Sequence, residues 1–125
     1  MAKAKILVID DNSYMRKLLE SRLKANDYQV VLAEDGKEAF SKAESEEPDL
    51  VLLDITMPKM DGFQIAEKLK NHASTRSIPI IFVTARGQEE EIFKATKELG
   101  AAAYIIKPFR SEILLNEIKK ALDKR

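Results

Sequence analysis

The sequence contains no cysteine, no tryptophan and a single histidine among its 125 residues. Without cysteine the chain cannot form a disulfide, a zinc site of the cysteine type or a thiol nucleophile. Lysine plus arginine number 21, as do aspartate plus glutamate, so the formal net charge is zero. A chain without a basic excess has no long-range attraction for nucleic acid or for an anionic membrane. We therefore expect neither nucleic acid nor a membrane among its partners.

Long hydrophobic runs are also missing. The N-terminal apolar run extends only from Ile6 to Ile9 and is followed by Asp10 and Asp11, which is unlike a signal peptide. No run approaches the ~20 residues that span a bilayer, so we expect a cytoplasmic protein. A chain of this length buries roughly two-thirds of its unfolded surface, which is enough for one core. We expect residues 1–125 to form a single domain.

Five short apolar runs, most of them rich in β-branched residues, predict five strands. They lie at residues 5–10, 29–33, 50–54, 80–84 and 103–107. Three of these runs are apolar almost without alternation, which is typical of strands that helices cover on both faces. The run at 29–33 is the weakest, and we expect it at an edge of the sheet.

Segments with helical periodicity alternate with the strands. Their apolar stripes are Met15, Leu18, Leu19 and Leu23; Ala39, Phe40 and Ala43; Phe63, Ile65, Ala66 and Leu69; Ile92, Phe93, Ala95, Thr96 and Leu99; and Ile113, Leu114, Ile118 and Leu122. Asn12 or Ser13 is expected to cap the first helix, Gly100 to end the fourth and Ser111 to cap the fifth. The order βαβαβαβαβα predicts a three-layer α/β sandwich with right-handed crossovers.

Polar side chains follow four of the five predicted strands. The first ends in Asp10 and Asp11, the third in Asp54, the fourth in Thr84 and the fifth in Lys107. Taken singly, such residues more often cap a helix or face solvent. In an open parallel sheet, however, ligands bind beyond the carboxyl ends of the strands, so we expect these side chains to meet there.

The chemistry of this group indicates phosphoryl transfer. Three carboxylates close together disfavour full ionisation unless a cation neutralises them, and Mg²⁺ prefers oxygen ligands of this kind. One carboxylate would keep an oxygen free to act as a nucleophile. Lys107 and Thr84 would then serve as a point charge and a hydroxyl donor to phosphoryl oxygens. The residues therefore predict a phosphoryl-accepting carboxylate.

Four segments resemble the receiver domain of two-component response regulators, and the resemblance covers the whole chain. They are Val8-Ile-Asp-Asp11, Asp54-Ile-Thr-Met-Pro-Lys-Met-Asp-Gly62, Val83-Thr-Ala85 and Lys107-Pro-Phe109. The pattern DxxMPxMDG after a buried strand is highly specific. The resemblance implies a doubly wound, five-stranded parallel sheet of order 2-1-3-4-5, a flavodoxin-like α/β sandwich.

The resemblance also implies how the acceptor and the metal are held. A sensor histidine kinase or a histidine phosphotransfer protein would phosphorylate Asp54. Asp11, Asp54 and the backbone carbonyl of Thr56 would bind Mg²⁺ directly, and Asp10 would act mostly through a water molecule.

Further roles follow from the same resemblance. Thr84 would bond the phosphoryl group and Lys107 would pair with it, through a Lys107–Pro108 peptide expected to be cis. Tyr104 matches an aromatic switch residue whose ring turns inward when Thr84 is drawn to the phosphate. Thr56 and Arg86 occupy positions that tune dephosphorylation in the family.

Two surfaces carry more apolar residues than one buried stripe requires. Tyr14 lies beside Met15 near the acidic edge, which makes the top of the first helix a candidate dock for the phosphodonor. The last helix has an apolar run at 113–115 that is too wide for one buried face. Leu115 is therefore predicted to form, with Tyr104 and the fourth helix, an output surface for an unidentified partner protein.

Two other functions fit part of the pattern. A HAD-type aspartyl-phosphate phosphatase usually has a second acid two residues after the nucleophile, where this chain has Thr56. A flavodoxin-like FMN carrier would need a Ser/Thr/Gly-rich loop after the first strand, where Asp10 and Asp11 would repel the phosphate. We expect instead a phosphorylation switch that turns over no external substrate.

The receiver-like pattern runs from Lys5 to about Asp123, so output by binding is expected if the chain is complete.

Overall fold

One parallel sheet of five strands organises the molecule. In the computed structural model, which describes residues 4–57 and 61–124, the strands are β1 (Lys5–Ile9), β2 (Gln29–Ala33), β3 (Leu50–Leu53), β4 (Ile80–Thr84) and β5 (Ala103–Ile106). Their order is β2-β1-β3-β4-β5, with every pair parallel. This confirms the expected topology and the edge position of β2. Residues 58–60 of the DxxMPxMDG motif lie outside the described part of the chain.

Helices connect successive strands and follow the last. They are α1 (Ser13–Ala25), α2 (Gly36–Glu46), α3 (Gly62–Lys70), α4 (Glu89–Phe93) with a π-helical continuation at Lys94–Glu98, and α5 (Ser111–Lys124). Asn12 caps α1, because its side chain accepts a hydrogen bond from the Met15 N–H at 2.9 Å. Asp61 and Gln64 form a reciprocal capping box at the start of α3.

The fourth helix differs from its prediction. After Phe93 the backbone widens into a π turn, in which the Leu99 N–H bonds to the Lys94 carbonyl at 2.9 Å. Phe93, the last residue before this turn, is 57% exposed, while Ala95 within it is buried. The predicted fourth helix is therefore present, but Phe93, one of the apolar residues that indicated it, lies outside the buried core.

The cap of the fifth helix also differs. The Arg110 carbonyl accepts from the Leu114 N–H at 3.3 Å, which places Arg110 at the cap and Ser111 in the first turn.

Two apolar layers enclose the sheet, one on each face. Because strand side chains alternate between faces, Leu7 and Ile9 of β1 pack towards α2 and α3, and Ile6 and Val8 pack towards α1 and α5. All four residues of β3 are buried. This arrangement confirms the three-layer sandwich. Within the described ranges, no helix combines the length and apolar character needed to cross a bilayer.

Candidate functional site

Two buried carboxylates lie side by side at the carboxyl edge of the sheet. Asp10 follows β1 and donates its N–H to the Ala33 carbonyl, and Asp54 follows β3 and donates its N–H to the Ile9 carbonyl, both at 3.1 Å. Their exposed fractions are 2% and 7%. Asp11 is exposed, yet one carboxylate oxygen from each of the three aspartates lies within 4.8 Å of the others. The structure thus brings together the acids that the sequence predicted.

Lys107 supplies the positive charge between two of these acids. Its Nζ lies 2.9 Å from Asp10 Oδ2 and 3.2 Å from Asp54 Oδ2. Its backbone N–H donates to the Thr84 carbonyl at 2.8 Å, and its peptide bond to Pro108 is cis, as expected. The ammonium is therefore held against the carboxylates.

Electrostatics differ at the two ends of this bridge. Burial raises the pKa of Asp10, against the lowering effects of the Lys107 hydrogen bond and of the Asn12 N–H at 2.9 Å. Burial by itself would lower the pKa of Lys107, but the hydrogen bonds and charges of Asp10 and Asp54 outweigh it and raise that pKa. Lys107 therefore stays protonated at neutral pH, while burial makes ionisation of Asp10 less favourable than that of an exposed aspartate.

The donor set fits a hard divalent cation. Asp10, Asp11 and Asp54 offer carboxylate oxygens at close range, and one of the three is open to solvent, where a metal could keep its waters. Lys107 already neutralises part of the charge, but one ammonium cannot balance three carboxylates. Thr56 is exposed beside Asp54, and its N–H donates to Asp54 Oδ1 at 3.3 Å. The cluster is therefore suited to Mg²⁺.

The predicted hydroxyl and switch residues lie on neighbouring strands. Thr84 is fully buried at the end of β4, and its Oγ1 accepts a hydrogen bond from the Arg86 N–H at 3.3 Å. The Tyr104 hydroxyl, on β5, donates to the Arg86 carbonyl at 2.5 Å. Burial raises the pKa of Tyr104 to about 12, with the charges of Glu91 and Asp54 adding to the rise and Arg86 opposing it. Thr84 and Tyr104 are thus linked through the backbone of Arg86.

Close contact with the start of α3 fixes the backbone of Asp54. The Gly62 N–H donates to the Ile55 carbonyl at 2.8 Å. A Cβ at Gly62 would lie 2.2 Å from the Asp54 carbonyl oxygen and 2.7 Å from Ile55 Cα, both of them backbone atoms. The glycine of the DxxMPxMDG motif is therefore required by space.

The predicted contact surfaces differ in exposure. Tyr14 is 73% exposed, whereas Met15 is half-buried against the core layer between the sheet and α1. Leu115 is likewise half-buried and packs on the same layer, while Ile113 is 50% exposed. These placements leave both docking predictions open.

Two contacts at the site were missed from the sequence. Arg16 donates from Nη1 to the Asp10 carbonyl at 2.7 Å and pairs with Glu34 at 3.4 Å. Its spacing from the buried Leu19 and Leu23 places it on the inner face of α1, and this unusual position for an arginine was the available signal. The second is an ion pair between Arg86 and Glu91, which links the loop after β4 to α4.

Comparisons with known proteins agree with this geometry. The family model described as "Response regulator receiver domain" matches residues 6–119. "Probable transcriptional regulator ycf27" of Porphyridium aerugineum is 42% identical over 98% of this chain and 49% of its own length. "Chemotaxis protein CheY" of Listeria monocytogenes is 38% identical over 94% of this chain and 97% of its own.

Solved structures show the same similarity. The chemotaxis protein CheY4 of Vibrio cholerae superposes with a TM-score of 0.89 at 31% identity, covering 96% of this chain and 99% of that one. The chain spans about half the length of the ycf27 regulators that it matches.

Proposed function

The chain belongs to the response regulator receiver domains, and on that premise we propose that it is a phosphorylation switch that accepts a phosphoryl group on Asp54. The observation that carries this proposal is the placement of the buried Asp54 carboxylate beside Asp10 and Asp11, with its Oδ2 3.2 Å from Lys107 Nζ. The acceptor, the acidic neighbours and the cation belong to three different strand ends.

The chemical step is a transfer between two nucleophiles. The bond between phosphorus and a donor histidine nitrogen breaks, that nitrogen keeps the electron pair, and a carboxylate oxygen of Asp54 forms the new bond to phosphorus. Lys107 stabilises charge on the phosphoryl oxygens, and the Thr84 hydroxyl donates to one of them. Both groups act mainly by position and charge, because phosphoryl transfer asks little covalent chemistry of the protein.

The metal proposal concerns which oxygens take part. Asp11, Asp54 and the backbone carbonyl of Thr56 would hold Mg²⁺ directly, and Asp10 would act through a water molecule. The bound ion supplies charge neutralisation for the phosphoryl oxygens. The buried position of Asp10, whose Oδ1 already accepts from the Asn12 N–H, supports the indirect role.

The partners follow from the same function. The donor is a sensor histidine kinase or a histidine phosphotransfer protein in the cytoplasm, docking at Tyr14 and Met15. Leu115 and Tyr104, with α4, contact an output protein that is still unidentified. Residues 1–125 act as one domain, without nucleic acid or membrane as a partner. The family is one of signalling regulators, and catalysis is limited to the domain's own phosphorylation and dephosphorylation.

Neither alternative function gains support. The family match does not support a HAD-type phosphatase, and Thr56 stands where such an enzyme usually has its second acid. For an FMN carrier, Asp10 and the neighbouring Asp11 would face the ligand phosphate.

Incubation with acetyl phosphate and Mg²⁺, followed by intact-mass measurement, tests the acceptor. We expect one labile phosphoryl adduct in the native chain and in Asp27→Asn, a control at an exposed position. We expect none in Asp54→Asn. Absence of an adduct in the native chain, or an adduct that persists in Asp54→Asn, contradicts the proposal.

Phosphotransfer from the partner tests the docking surface separately. Replacing Tyr14 and Met15 with alanine should slow transfer from the partner histidine and leave the reaction with acetyl phosphate unchanged. An unchanged rate with the protein donor would exclude this surface.

A further inference from the structure

Arg86 makes three contacts that connect the site to its surroundings. Its backbone N–H donates to Thr84 Oγ1 at 3.3 Å, and its backbone carbonyl accepts from the Tyr104 hydroxyl. Its guanidinium forms an ion pair with Glu91, in the first turn of α4. One residue thus touches the end of β4, strand β5 and helix α4.

Glu91 differs from the two acids that precede it. Its side chain is 11% exposed, against 47% for Arg86, whereas Glu89 and Glu90 both face solvent. Burying a carboxylate is costly unless a cation compensates, and the guanidinium of Arg86 is the cation that contacts Glu91. A general preference for acids at helix N-termini explains Glu89 and Glu90 but not the burial of Glu91.

A hydrogen bond from the Arg86 backbone to Thr84 connects the Arg86–Glu91 ion pair to the proposed phosphorylation site. Because Thr84 Oγ1 accepts from the Arg86 N–H, the hydroxyl proton of Thr84 is available for another acceptor. A displacement of the hydroxyl must move or break its bond to the Arg86 backbone. The guanidinium of the same residue would carry that movement to the first turn of α4.

We propose that Glu91 is a positioning residue, which holds Arg86 and through it Thr84, so that a phosphoryl group at Asp54 is coupled to helix α4. This inference rests on the proposed function of Asp54. It adds a residue in α4 whose own side chain does not reach the reacting atoms.

The π-helical segment that follows α4 is where we expect the structural change to occur. Residues Lys94–Glu98 continue α4 with a wider turn, and Phe93, at the junction, is 57% exposed. A π turn departs from the regular α-helical hydrogen bonds, and such turns often lie at functional sites, so we expect a pull at Glu91 to change the backbone here. The response should therefore concentrate between residues 89 and 98.

Amide NMR shifts recorded with and without excess acetyl phosphate and Mg²⁺ test the proposal, after scaling to the phosphorylated fraction measured by intact mass. In the native chain we expect shifts both at Thr84 and in residues 89–98. In Glu91→Gln the shifts at Thr84 should persist, while those in residues 89–98 fall at least about twofold. Glu90→Gln is the matched control, since it removes the same charge from a neighbouring exposed position.

Substitutions of Arg86 distinguish a specific effect of the Arg86–Glu91 ion pair from a general destabilisation of the fold. Arg86→Gln should reproduce the loss, Arg86→Lys should restore part of the response, and Glu91→Gln should add nothing in the Arg86→Gln background. Because Arg86 is half-exposed, these variants test the pair even where Glu91→Gln does not fold.

The outcomes distinguish the two proposals. A native chain with no adduct at Asp54 overturns the proposed function, and this inference with it. If Glu91→Gln and Arg86→Gln both show the same amide shifts in residues 89–98 as the native chain, this inference alone is overturned.

Discussion

At the residue scale, Gly62 carries a sharp steric requirement. A methyl group there would meet the backbone of Asp54 and Ile55, at 2.2 and 2.7 Å, and neither backbone atom can rotate away. Gly62→Ala should therefore cost about 1–3 kcal/mol of unfolding free energy in urea titrations and weaken Mg²⁺ binding, because the carboxylate of Asp54 shifts with its backbone.

Gly100 provides the control for that substitution. Its φ is +67°, and a methyl group added there would have open space around it, with no contact within 4 Å. Gly100→Ala should cost about 1–2 kcal/mol from backbone strain alone and leave Mg²⁺ affinity unchanged. Equal Mg²⁺ affinity in both variants would show that Gly62 has no role in placing Asp54.

Ionisation of Tyr104 reports on its charged neighbours. Its pKa is raised to about 12 by burial first and then by the negative charges of Glu91 and Asp54. Glu91→Gln should lower that pKa and Arg86→Gln should raise it, as measured by ultraviolet absorbance against Tyr104→Phe as a blank. Glu90→Gln should change the value less than Glu91→Gln, and a larger change would contradict the assignment.

The same shift has a consequence for stability at alkaline pH. An unfolded tyrosine ionises near pH 10, whereas folded Tyr104 keeps its proton up to about 12. The proton is bound more tightly in the folded state, so stability is fully present below pH 10 and is lost as the pH rises towards 12. Denaturation midpoints should fall less over this interval in Tyr104→Phe than in the native chain.

Single residues also show how far the sequence predicts the site. Asp10, Asp54, Thr84 and Lys107 could be placed because each directly follows or ends a recognisable strand, and strand ends meet by geometry. The contact of Lys107 with Asp10 could not be predicted, because it depends on how far the lysine side chain reaches across the two strands between them. The contact of Arg16 with the Asp10 carbonyl was missed, because its spacing from Leu19 and Leu23 indicates an inward position but not a backbone partner.

At the element scale, the capping box of α3 sets where that helix begins. Asp61 Oδ1 accepts from the Gln64 N–H at 2.9 Å, and Gln64 Oε1 accepts from the Asp61 N–H at 3.1 Å. Asp61→Ala should cost about 1 kcal/mol in thermal or urea unfolding, and Asp61→Ser should retain most of that stability. Equal losses in the two variants would mean that the cap contributes little.

Helix α4 marks the limit of periodicity as a guide to structure. Ile92, Phe93, Ala95 and Leu99 follow a helical repeat, and a helix is present. The repeat assumes 3.6 residues in every turn, and the bond from Leu99 N–H to the Lys94 carbonyl spans five. The apolar repeat therefore predicts a helix here but does not distinguish an α turn from a π turn.

At the scale of the whole molecule, a metal bound only by the folded chain should raise its stability. At a Mg²⁺ concentration about 100 times the dissociation constant, the gain is about 2.7 kcal/mol. Thermal unfolding should therefore move upward with Mg²⁺ in the native chain and in Asp27→Asn, reverse with chelator, and respond much less in Asp11→Asn. An equal rise in Asp11→Asn would exclude Asp11 as a ligand.

The sheet was the most predictable feature at this scale. Runs such as Leu50–Leu53 are apolar on both faces, and only a sheet covered on both sides buries them completely. Strand order, in contrast, was predicted from the resemblance to a family. Local sequence patterns indicate where strands form, but they do not indicate which strands are neighbours.

The bridge from Lys107 to Asp10 joins residues 97 positions apart in the sequence. Strand β1 pairs with both β2 and β3, and β5 pairs only with β4 among the described strands. During synthesis from the N-terminus, Asp10 and Asp54 would therefore emerge well before the strand that carries Lys107. The docking of β5 would then be the event that completes the sheet and adds the ammonium of Lys107 to the acidic centre.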